Sequence, residues 1–134
     1  MNIAVRYYTR SGNTKKLAEE IAKTVSCEAK DVSVPLTERA DILFLGCSYY
    51  AFDVDEAVKH FIIENNENIG KIVCFGTSAM MKSMKKPVSK VADKVGVIVA
   101  DEEFHCRGQF KKVHKGRPNE EDLKAVSDFA KRVI

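Results

Sequence analysis

With 134 residues, 45% of them hydrophobic and 31% charged, the chain has the length and composition of a single globular domain with a real core. It has no low-complexity tract, internal repeat or apolar stretch long enough to span a membrane, which argues against disordered, fibrous and membrane-integral classes. The formal net charge of +3 is too small to require a nucleic-acid partner, and the four cysteines (Cys27, Cys47, Cys74, Cys106) form no Cys-x-x-Cys pair that would suggest zinc, an iron–sulfur cluster or a dithiol. They are expected to be free thiols, Cys47 and Cys74 as small core residues.

The first apolar run, Ile3 to Tyr8, reads as a strand, and the amphipathic stretch Thr14 to Val25 reads as a helix burying Leu17, Ile21 and Val25. Between them lies Thr9-Arg10-Ser11-Gly12-Asn13-Thr14. A strand turning directly into a helix aims backbone N–H groups and the positive helix end at one spot, a natural seat for an anion. Thr9, Ser11 and Thr14 add three hydroxyls and Asn13 an amide, while Gly12 tolerates positive φ and close approach. An ordinary connection with Thr14 as N-cap is the simpler reading, and the hydroxyl density argues against it. The loop lacks the Gly-Lys-Ser/Thr ending of nucleoside triphosphate sites and the Gly-x-Gly-x-x-Gly spacing of dinucleotide sites, so a terminal phosphate monoester is expected.

A weak second strand falls within Ala29 to Val34 and ends at Pro35. The third, Asp41 to Cys47, is continuously apolar and reads as buried on both faces. A helix is predicted over Val54 to Glu64, then a fourth strand over Lys71 to Gly76. A helix over residues 83 to 95 turns Val88, Val91 and Val95 inward with Pro87 in its first turn. The fifth strand covers Gly96 to Ala100 and can extend to Cys106. The last helix is announced by Asn119 as N-cap, Glu120, Glu121 and Asp122 in its first turn, and an apolar face of Leu123, Val126, Ala130 and Val133.

Five strands alternating with four to five helices predict an α/β fold, a doubly wound parallel sheet of order 2-1-3-4-5 with helices on both faces. Its ligand crevice opens where the connections after strands one and three diverge. Three loops converge there. The second, Ser48-Tyr49-Tyr50-Ala51-Phe52-Asp53, carries three aromatics in four residues. The third is Thr77-Ser78-Ala79-Met80-Met81. A phosphate cradle beside an aromatic loop outlines a ligand with a phosphate tail and a flat ring, such as flavin mononucleotide (FMN). Tyr49, Tyr50 and Phe52 contact the ring in one reading and pack as core in the other.

Residues 82 to 117 hold 10 basic and 4 acidic side chains. With Phe110 the one Phe, Tyr or Trp interleaved in the cluster Arg107 to Arg117, a docking patch for an acidic protein is expected over Lys82 to Arg117, and not nucleic acid. Because the chain opens almost at once on a strand, with no leader, it is expected to be cytoplasmic.

The phosphate loop resembles, without a gap, the Ser/Thr-x-Ser/Thr-Gly-x-Thr loop of the flavodoxin family in its short form. Leu45-Gly46-Cys47-Ser48-Tyr49-Tyr50 is similar to that family's second flavin loop and Phe75-Gly76-Thr77-Ser78-Ala79 to its third. Phe104-His105-Cys106-Arg107-Gly108 resembles a Phe-x-Cys-x-Gly segment of one branch. The resemblance spans nearly the whole chain and implies one flavodoxin-like domain over residues 1 to 134. It implies noncovalent FMN used to carry electrons between a reductase and an acceptor enzyme. Thr9, Ser11, Gly12, Asn13 and Thr14 would hold the phosphate, Arg10 would border it, and Ser48 to Phe52 and Thr77 to Ala79 would frame the ring. Two features depart from the family. It is typically acidic, and it places a glycine in the second loop, where a peptide flip lets a carbonyl meet the reduced ring. Residues 48 to 55 hold none, which adds about 1 kcal/mol or more to a flip requiring positive φ. This suits two-electron chemistry, so an FMN-dependent NAD(P)H oxidoreductase acting on a quinone or other small acceptor is the second reading. The pair His105-Cys106 begins a phosphatase-like signature but fails it, since Lys112 stands where an arginine is needed. His60 and His114 are expected to be exposed and non-catalytic.

Overall fold

Five parallel strands pair in the order β2-β1-β3-β4-β5 in the computed structural model, which describes residues 1–9, 12–48, 55–77, 85–106 and 116–134. The elements are β1 (Ile3–Tyr7), α1 (Asn13–Thr24), β2 (Ala29–Asp31), β3 (Ile42–Ser48), α2 (Glu56–Asn65), β4 (Lys71–Thr77), α3 (Lys85–Lys94), β5 (Ile98–Cys106) and α4 (Glu120–Val133), with a 3-10 turn at Asn66–Asn68. This is the predicted order, with boundaries that differ for physical reasons. Gly12, not Thr14, is the N-cap of α1: it adopts φ 88°, which glycine takes at no steric cost, and Thr14 lies inside the first turn. Asp55 caps α2 by accepting from the Ala57 N–H at 3.0 Å, and Asn119, the expected N-cap, forms a capping box with Asp122. β5 takes the longer of its two expected lengths. It does so through an irregularity opposite Val73, where the register steps from Ile72↔Val99 to Cys74↔Glu103.

The central strands are apolar on both sides because both sides are covered. On β3, Ile42 and Phe44 join Val73 and Phe75 of β4 under α1 and α4. Leu43, Leu45 and Cys47 join Ile72 and Cys74 under α2 and α3. Phe44 and Phe75 are fully buried, and each such burial contributes about 1.5–3 kcal/mol. Gly46 makes room for one of them, since a Cβ there would run into the Phe75 ring. The predicted helix faces needed adjustment: Val25 and Val95, just past the ends of α1 and α3 and expected inward, are only partly covered. Phe129 is among the buried residues of α4, while Leu123 and Val133 are only partly covered.

The link from β2 to β3 contains no helix and is held by polar side chains. Arg6, 7% exposed on β1, donates from Nε to the Val34 carbonyl at 2.9 Å and from Nη2 to that of Pro35 at 3.3 Å. Asn65 Oδ1 accepts from the Leu36 N–H at 3.0 Å. These contacts satisfy a connector that has no ladder of its own.

Candidate functional site

The sheet order places the ends of β1, β3 and β4 side by side, with Tyr7 opposite Gly46 and Ser48 opposite Thr77. The loops that follow them therefore start from one edge, as the topology rule for such sheets requires. At the first loop the Gly12 N–H donates to Thr9 Oγ1 at 2.9 Å, which folds the threonine back over the turn. Asn13 and Thr14 are buried at the start of α1, and a Cβ added to Gly12 would meet nothing within 4 Å. A hydrogen bond thus ties Gly12 back to Thr9, and nothing among the described residues crowds the glycine.

The electrostatics of the helix starts separate α1, and α3 with it, from α2 and α4. The first turn of α2 carries Glu56 behind the Asp55 cap, and that of α4 carries Glu120, Glu121 and Asp122. In α1 the first turn holds no acidic residue, its N-cap glycine offers no side-chain acceptor, and Lys15 and Lys16 stand exposed beside it. A helix start with its positive end and two lysines, and no carboxylate of its own, is a place where an outside anion is stabilised.

Thr14 Oγ1 lies 3.1 Å from Thr77 Oγ1, and the two residues are 0% and 2% exposed. The first and third loops are therefore joined at their bases by a buried hydroxyl pair. Sequence reasoning placed both residues near the crevice but gave no sign of this contact, which spans 63 positions.

Of the expected site residues, Thr9, Gly12, Asn13, Thr14 and Thr77 are brought to this edge, with Ser48 ending β3 beside them. Arg10, Ser11, Tyr49, Tyr50, Ala51, Phe52, Ser78 and Ala79 lie outside the described residues, as does most of the basic segment after Cys106.

The cysteines are free thiols. Burial is the main cause that pushes the thiol pKa of Cys47 well up and those of Cys74 and Cys106 to about 12, so all three stay protonated near neutrality. Cys106 packs with Phe129 and Ala130 of α4 in the core on the α1 side, consistent with a structural thiol. His60 is exposed, as expected. Among the described residues no group of histidine, cysteine and carboxylate side chains suits a metal ion, and no described helix is long and apolar enough to cross a membrane.

A five-stranded parallel sheet of this order, covered by helices on both faces, is the flavodoxin-like fold. A family model described as the flavodoxin domain matches residues 4–113, and the chain belongs to that family. An uncharacterized protein of Methanocaldococcus jannaschii is 27% identical over 137 residues, covering 91% of this chain and 90% of its own length. A flavodoxin from the domain Archaea superposes with a TM-score of 0.77 at 18% identity over 99% of both chains. A flavoprotein from Lactobacillus acidophilus, solved in complex with FMN, superposes with a TM-score of 0.67 at 17% identity over 78% of this chain and 92% of that one.

Proposed function

We propose that the chain binds FMN noncovalently through its terminal phosphate and works as an electron carrier between a reductase and an acceptor enzyme. The single observation that carries this reading is the start of α1: a positive-φ glycine, buried Asn13 and Thr14, flanking lysines and no carboxylate, at the crevice edge of the sheet. That chemistry fits a dianionic phosphate. In this reading Thr9, Ser11, Gly12, Asn13 and Thr14 bind the phosphate and Arg10 borders it. Ser48 to Phe52 and Thr77 to Ala79 frame the ring and keep water from it. Bound FMN would supply the redox chemistry, and the protein's part is to hold it at the sheet edge in a set electrostatic environment.

The partner side of the reading rests on charge. Lys86, Lys90 and Lys94 recur every four residues on α3 and are all exposed, so they share one stripe of the helix. A stripe of like charge favours an acidic docking partner and gives association that weakens with salt. The absence of glycine from residues 48 to 55 favours the second reading, an FMN-dependent NAD(P)H oxidoreductase. Mixing the FMN-loaded protein with NADPH and a quinone separates them. A carrier turns over only when a flavin reductase is added, whereas steady NADPH consumption by the protein alone would establish the enzyme.

A further inference from the structure

The hydroxyls of Thr14 and Thr77 meet at 3.1 Å in a buried contact, one from the first turn of α1 and the other from the last residue of β4. With exposures of 0% and 2%, neither threonine can exchange the contact readily for bulk water. Either oxygen could be the donor in this pair. A hydroxyl has one proton and two acceptor lone pairs, and an anion takes donated protons only. Once Thr14 gives its proton to an anion, its contact with Thr77 survives in one sense alone, with Thr77 donating and Thr14 accepting.

Resting on the phosphate-site reading above, we propose that Thr77 is a positioning residue for the phosphate: its hydroxyl donates to Thr14 Oγ1 and thereby aims the Thr14 proton at the anion. Thr77 then acts on the phosphate end through Thr14, in addition to bordering the ring as the third loop's first residue. The two bonds run in series from Thr77 to Thr14 to the ligand, and in a low-dielectric site each polarises the next. The benefit exists only for a ligand that brings a charged group to Thr14. FMN has one, and riboflavin, the same ring and side chain without the phosphate, does not.

Dissociation constants for FMN and riboflavin, measured by fluorescence titration on the wild type, Thr77→Val, Thr77→Ser, and both Thr14→Val and the Thr14→Val/Thr77→Val double variant, test this. Thr77→Val should weaken FMN by about three- to tenfold, the worth of one hydrogen bond in a charged chain. Riboflavin binding, which also reports that the variant is folded, should weaken clearly less, by whatever Thr77 contributes at the ring, and the step from Thr14→Val to the double variant should cost FMN no more than that. Thr77→Ser, which keeps the hydroxyl, should restore the preference for FMN. Equal losses for both ligands would show that Thr77 only shapes the ring site or the fold, and an unchanged FMN affinity would remove it from the chain of donors. Either result overturns the inference while the wild-type preference for FMN stands. A wild type that binds both ligands equally would instead overturn the phosphate site itself.

Discussion

Thr14 is the residue on which most converges. It sits in the carboxylate-free first turn of α1, is fully buried, and touches Thr77 across the base of the crevice. If its hydroxyl donates to a charged phosphate, Thr14→Ala should weaken FMN binding by about 1.5–3 kcal/mol, roughly tenfold or more, by isothermal titration. An unchanged affinity would take Thr14 out of the site. Gly46 offers a stability counterpart: a methyl group there must displace the buried Phe75 ring, so Gly46→Ala should cost about 1–3 kcal/mol in urea denaturation. The loop's chemistry was legible in the sequence because its hydroxyls, glycine and helix start are neighbours along the chain. The Thr14–Thr77 contact was not, since it takes the pairings of β1 with β3 and of β3 with β4, and the side chains they aim, to bring the two hydroxyls together. Arg6 was likewise silent, because nothing in a strand's sequence says that a charged residue will be buried to hold the backbone of a distant connector.

The helices show how far local signals reach. α4 matched its forecast start because its cap, first-turn acids and terminal bases are all written within a few residues of its ends. Asp122 does more than cap: it accepts from the Asn119 N–H at 2.8 Å and is gripped by Arg117, whose Nη2 lies 2.6 Å and Nε 3.0 Å from its two oxygens. The hydrogen bonds from Arg117 hold its carboxyl below the ordinary carboxylate range. A carboxylate with a lowered folded pKa stabilises above its unfolded value and loses that contribution as the pH falls through the folded one. Asp122→Asn should therefore destabilise by about 1–2 kcal/mol near neutrality, discounted for the partly exposed arginine. In urea melts the gap between variant and wild type should narrow below about pH 4, and a gap that persists or widens there would contradict the assignment. The β2–β3 connector, by contrast, has no periodicity to read. It is ordered by Arg6 from β1 and by Asn65 and Asn68 from the end of α2 and the turn after it.

The fold as a whole unites these features through one topological fact: strand order 2-1-3-4-5 gathers the ends of β1, β3 and β4 at a single edge. The sheet order followed from counting alternating apolar runs, and the two-sided burial of β3 and β4 is why those runs were continuous. In the function proposed, this edge grips a phosphate monoester bearing a flat redox-active ring. Titration of FMN into flavin-free protein, followed by absorbance and flavin fluorescence under oxidised and then reduced anaerobic conditions, tests it most directly. Saturable binding that tints the protein yellow and alters the flavin signal is expected, with riboflavin held more weakly. A protein that stays colourless and leaves FMN in solution in both redox states would contradict it.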